Sequence, residues 1–108
     1  MKRTLLVAGL LLATGGALRA ADAKENWTKN CAKCHGEDGK GNTAMGRKAG
    51  AKDYTDAKVQ EGLKDEAAIK TIKEGLTVDG KKKMDAYKDK LSDDEIKALV
   101  AHIRGFKK

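Results

Sequence analysis

Cys31-Ala32-Lys33-Cys34-His35 constrains this chain more than any other stretch. It sets two thiols about one helical turn apart, with an imidazole directly behind the second. C-x-x-C-H is the attachment signature of a c-type haem. At this spacing both thiols reach the two vinyl groups of one porphyrin and form thioethers. His35 then carries its imidazole beneath the iron as proximal ligand. The expected cofactor is one covalent haem c, with Cys31 and Cys34 as its attachment residues. Three other readings compete. A disulfide or a thioredoxin-like pair normally opens a helix after a strand, and no strand is expected ahead of Cys31. A zinc site would need Cys31, Cys34, His35 and His102. Adjacent Cys34 and His35 do not easily share one tetrahedral ion, and a second close-spaced ligand pair is absent. The third is a chance match.

Composition explains why such a chain needs a cofactor. Of 108 residues, 36% are charged and 4% aromatic, with one Trp, two Tyr, one Phe and no Pro. Each aromatic contributes far more buried area than Ala or Val, so the side chains alone give a thin core for a domain of this size. A covalently held porphyrin supplies the missing apolar mass. The length excludes a multidomain enzyme, and two Cys exclude a disulfide-rich scaffold.

Met1-Lys2-Arg3, the apolar run Thr4 to Leu18 and the small residues around Ala20 to Ala23 have the layout of a secretory signal peptide. The apolar run is short for a transmembrane helix, which needs about 20 residues. The leader is placed at residues 1–20, with cleavage after Ala20 or after Ala23, and the folded domain at 24–108. Export puts both Cys in an oxidising compartment, where a bare thiol pair would not persist. Of 23 basic residues the leader removes Lys2, Arg3 and Arg19, leaving 20 against 16 acidic ones, a charge of +4.

The remainder reads as all helix. Asp22 to Cys34 aligns Trp27 with Cys31 and Asn30 with Cys34 at helical spacing. Residues 36–50, with five Gly, read as a loop. Thr55 is the expected cap of a short turn to Gln60. Asp65 to Glu74 puts Ala68, Ile69 and Ile72 on one face, with Gly75 as its stop. Leu76 to Lys90 reads as irregular. Ser92-Asp93-Asp94-Glu95 forms a capping box, and Ile96, Leu99, Val100 and Ile103 follow with the spacing of an amphipathic helix. No segment alternates with period two, so no strand is expected.

For the sixth iron ligand the candidates after Met1 are Met45 and Met84. A buried Met is most often gap filler. Met84 stands between Lys81-Lys82-Lys83 and Asp85 without apolar periodicity, and far enough from His35 for the chain to reach the other haem face. It is the preferred ligand; Met45 in the Gly-rich loop, or no second protein ligand, are the alternatives.

Together these segments resemble a small, soluble, single-haem class I cytochrome c of the bacterial type. The resemblance runs through Cys31 to Gly36, Asp38-Gly39-Lys40-Gly41-Asn42-Thr43, Met84-Asp85-Ala86-Tyr87, Leu91 to Ile96, and Leu99 to Arg104. It implies an all-α class I cytochrome c fold, with three to four helices wrapped around a covalently bound haem. It implies His35 and Met84 as axial ligands, and Trp27 meeting Leu99 where the terminal helices cross. The chain departs from relatives in two places. They often have a Pro soon after C-H-G whose backbone orients the proximal His, where this chain has Thr43-Ala44-Met45-Gly46. They often have an aromatic where His102 stands, on the flank of the Ile96-Leu99-Ile103 stripe, and His102 is expected to pack at the crossing or face solvent.

The function implied is that of a periplasmic one-electron carrier rather than an enzyme. His/Met ligation leaves no open coordination site and raises the potential. Its partners are redox proteins with acidic docking surfaces, steered by Lys81-Lys82-Lys83 near the Met loop. Nucleic acid is not expected, since interleaved aromatics are missing, nor is stable membrane insertion once the leader is cleaved. A five-coordinate haem sensor or peroxidase-like protein, and a dedicated haem subunit of a larger redox enzyme, are the alternatives.

Overall fold

The structure is a computed structural model and describes residues 20–108. The expected leader lies outside the described residues except for Ala20, which begins the first helix. Among the described residues, six helices and one hairpin follow in order: α1 (Ala20–Asn30), α2 (Ala32–His35), α3 (Ala44–Ala49), α4 (Ala57–Gly62), α5 (Asp65–Glu74), β1 (Leu76–Val78), β2 (Lys81–Met84) and α6 (Asp93–Arg104). None of these helices is long and apolar enough to cross a membrane. The three long helices, α1, α5 and α6, build the core, and the three short ones shape the segments between them.

The core follows from the α6 stripe. Ser92 Oγ accepts from the Glu95 N–H, and the Glu95 carboxylate accepts from the Ser92 N–H, so the capping box is complete. Ile96, Leu99, Val100 and Ile103 are all buried, joined by Trp27 from α1 and by Ala68 and Ile72 from α5. Trp27, Ile96 and Leu99 are the largest fully buried side chains, so Trp27 and Leu99 share one cluster at the α1–α6 crossing as expected. His102 packs there too, its ring 5.5 Å from Trp27 and edge-on to Phe106 at 5.0 Å. Among the described residues, Gln60 is the one buried polar residue. Its amide donates to the Tyr54 and Ile103 carbonyls, and Arg104 donates to its side-chain oxygen, to its carbonyl, to the Leu63 carbonyl and to Asp65. Every polar group of that node is thereby satisfied.

Four local expectations are corrected. The helix expected from Asp22 to Cys34 is two helices: Cys31 sits at a turn, with φ −118°, between α1 and α2. Residues 36–50 are not all loop, because Thr43 caps α3 by accepting from the Gly46 N–H. Asp56, not Thr55, caps α4, accepting from the Lys58 N–H, while Thr55 is tied to the Asp53 carboxylate. Leu76 to Met84 is an antiparallel hairpin rather than irregular chain, paired Leu76↔Met84, Thr77↔Lys82 and Val78↔Lys81 with a bulge beside Leu76. Asp79 (φ 52°) and Gly80 (φ 76°) make its turn. Two successive left-handed residues are what a tight hairpin of right-twisted strands requires. The helix Asp65–Glu74 and its Gly75 stop stand as expected.

Candidate functional site

The C-x-x-C-H segment is one turn of backbone pinned at each peptide. The Cys34 and His35 N–H groups both donate to the Cys31 carbonyl, at 3.2 and 2.9 Å, and the Gly41 N–H donates to the His35 carbonyl at 2.8 Å. Cys31 and Cys34 are free, half-buried thiols. Burial, with a smaller contribution from Cys34, pushes the Cys31 thiol up to about 11. A redox-active thiol pair works through a thiolate with a lowered pKa, so this environment is the wrong one for a thioredoxin-like pair. Among the described residues, no three His, Cys, Asp or Glu side chains gather as a metal cluster.

The His35 ring packs beside two aromatic rings. Trp27 is 5.5 Å away, tilted by 39°, and Tyr54 is 5.5 Å away, stacked at 27°. Trp27 also donates its indole N–H to the Gly36 carbonyl at 2.8 Å, anchoring the residue directly behind His35. Burial lowers the pKa of His35. Its Nδ1 is buried and has no hydrogen-bond partner. Burial likewise raises the Tyr54 phenol, first by desolvation and then by the nearby Cys31.

The two methionines part company. Met84 is half-buried at the end of β2 and packs against the cluster around Trp27, Ile96 and Leu99, the same cluster that Cys31 borders. Met45, on the outer part of α3, is 46% exposed. Tyr87, two residues beyond Asp85, donates its hydroxyl to the Asn30 carbonyl at 2.9 Å and ties the Met segment to the end of α1. Sequence reasoning missed Tyr54 and Tyr87 as neighbours of the site. No local signal marks them; both reach it through long-range packing.

These residues fit a covalently held haem. There are two free thiols one turn apart, a half-buried imidazole and a thioether on the same core. The match to known families agrees. Residues 18–103 match the family model described as cytochrome c oxidase, cbb3-type, subunit III. The chain belongs to the c-type cytochromes. Among solved structures it is similar to the KustC0563 c-type cytochrome, at 39% identity and a TM-score of 0.71, covering 81% of this chain and 99% of that one. A tyrosine-to-phenylalanine mutant of that protein matches at 38% identity and a TM-score of 0.68, covering 80% and 99%. No curated protein matches the chain. The fold is thus a mostly helical cytochrome c fold with a small hairpin, and membership of this family implies covalent haem, electron transport and redox partners. Cys31 and Cys34 agree with the family's C-x-x-C-H pattern.

Proposed function

We propose that this cytochrome is an exported one-electron carrier that works in the periplasm. Residues 1–20 serve as its leader, and 24–108 form the carrier domain. Cys31 and Cys34 would hold a single haem through thioethers, and His35 and Met84 would be the protein ligands to its iron. The haem iron supplies the one-electron couple. The chain's own residues do the rest: Trp27 and Tyr54 wall the His35 ring, Tyr87 ties the Met84 segment to α1, and the core excludes water. The observation that carries the ligand assignment is the contrast between Met84, packed on the core that Cys31 borders, and Met45, exposed on α3.

The hairpin supports an acidic partner. Lys81 and Lys82 are exposed on β2, beside exposed Leu76 and Val78 on β1. An apolar pair rimmed by ammonium groups suits a protein surface with carboxylates around an apolar centre. The description of the matching family model as an oxidase subunit favours one second reading, a haem subunit of a larger enzyme. Gel filtration of native extract separates the two, since a free carrier elutes at the size of the single chain.

The test of ligation compares Met84→Ala with Met45→Ala in the holoprotein. Met84→Ala should lower the potential, abolish the near-infrared sulfur-to-iron band of the ferric protein and allow carbon monoxide to bind the ferrous one. Met45→Ala should leave all three as in the wild type. The opposite pattern reverses the assignment, and avid carbon monoxide binding by the wild type replaces the carrier with a five-coordinate sensor.

A further inference from the structure

We propose that Thr43 and Gly46 form a latch that sets the peptide leading into His35, and with it the direction in which the imidazole points. Both are positioning residues, and the inference rests on the reading of His35 as an iron ligand.

A ligating histidine is usually steered by a hydrogen bond from its second ring nitrogen. Here Nδ1 is buried without a hydrogen-bond partner, and the ring packs beside the Trp27 and Tyr54 rings. Its aim therefore depends on its backbone. The peptide between Cys34 and His35 is held at both ends. Its N–H donates to the Cys31 carbonyl, and its carbonyl, that of Cys34, accepts from the Thr43 hydroxyl at 2.8 Å. The same hydroxyl oxygen accepts from the Gly46 N–H at 2.8 Å. One chain of hydrogen bonds thus runs from the start of α3 through Thr43 into the attachment segment.

Gly46 is what lets α3 come this close. A Cβ built at Gly46 would overlap the Cys34 carbonyl oxygen and stand 2.6 Å from the Gly41 carbonyl oxygen. Both obstacles are backbone, which cannot swing aside. Gly41 is itself bonded to the His35 carbonyl, so the glycine is flanked by the groups on either side of the ligand. In this role Gly46 is not a helix breaker, since its helix runs on to Ala49. It is the contact surface between α3 and the haem segment.

The experiment uses the holoprotein with Thr43→Val, which keeps the shape and removes the hydroxyl, and Thr43→Ser, which restores it. Reduction potential and the hyperfine-shifted His35 ring resonances of the ferric protein are read beside a thermal melt. Thr43→Val should move the redox equilibrium by a factor of about three or more, which is about 28 mV for one electron, and should displace the ring resonances. Thr43→Ser should return both to the wild-type values. Unchanged potential and resonances in Thr43→Val, whatever the melt does, overturn the latch, as does a Gly46→Ala protein with wild-type potential and melting point. Absence of hyperfine-shifted imidazole resonances from the wild type itself would instead sink the ligand reading, and the latch with it.

Discussion

Trp27 couples the core to the haem segment, and Trp27→Phe measures that coupling. The indole is 1% exposed and its N–H donates to the Gly36 carbonyl at 2.8 Å. Phenylalanine cannot donate, so the Gly36 oxygen loses its partner. An orphaned buried acceptor costs about 1–3 kcal/mol, and half-buried Gly36 belongs toward the lower end. The lost part of the ring leaves a void of about 40 Å³, which at about 24 cal/mol per Å³ adds about 1 kcal/mol. The expected destabilisation is therefore about 2–3 kcal/mol, a large share of the roughly 5–15 kcal/mol by which a domain is stable. The assay is chemical unfolding of the holoprotein, followed by far-ultraviolet dichroism and by the haem absorption band. Leu99→Ala is the control. Leu99 is fully buried in the same cluster, and its truncation should cost about 2–5 kcal/mol without touching Gly36. Both variants should unfold earlier, but only Trp27→Phe should shift the haem band and the potential before unfolding. A Trp27→Phe protein within about 0.5 kcal/mol of the wild type would refute the coupling. So would a Leu99→Ala protein whose haem band shifts as far as that of Trp27→Phe.

Ser92→Ala should cost about 1 kcal/mol in a chemical melt with no change in the haem spectrum, and an unshifted melt would mean that Ser92 does not start α6. The Glu95 carboxyl is held below its usual range, first by the Ser92 backbone N–H and then by Asn26. Its folded pKa is depressed, so its contribution is present above the unfolded value of about 4.3 and is lost as pH falls through the folded one. Glu95→Gln should flatten that acid limb, and identical limbs would remove Glu95 from the account. Lys82 is engaged by Asp85 at 2.9 Å, so Lys81 is the better probe of steering. Lys81→Glu should slow electron transfer to an anionic partner by roughly threefold to tenfold at low salt, with the gap closing at high salt; equal rates at low salt would take the hairpin out of docking.

What could be read from the chain was what its local grammar carries. Ser92 with Glu95, followed by Ile96, Leu99, Val100 and Ile103, states both the start and the buried face of α6, and the structure has both. Asp65–Glu74 is likewise a helix with its own stop. The hairpin was hidden because neither strand alternates: β1 is exposed at all three residues and β2 carries three Lys. Its turn was still written in the sequence, since Asp79-Gly80 is among the strongest short hairpin signals. Thr55 and Asp56 are both good caps by type, and only the Asp53–Thr55 bond takes Thr55 out of the contest.

Gly46 shows why the surroundings of the site were less legible than its chemistry. Cys31, Cys34 and His35 announce themselves because covalent attachment demands a fixed spacing within five residues. What holds them has no such demand. A glycine among five glycines reads as a chain breaker by propensity, and only the nearness of the Cys34 and Gly41 carbonyls turns its missing side chain into a requirement. Gln60 is the same case with the opposite sign. A polar residue on a short helix reads as surface, yet it is buried because Ile103 and Arg104, more than 40 residues away, converge on it with the nearby Tyr54 carbonyl. Tyr54 in turn faces His35. The path from the C-terminal helix to the imidazole thus runs through backbone carbonyls that every residue possesses. Residue types therefore name the chemistry of such a site, while its aim is set by contacts that only the folded chain creates.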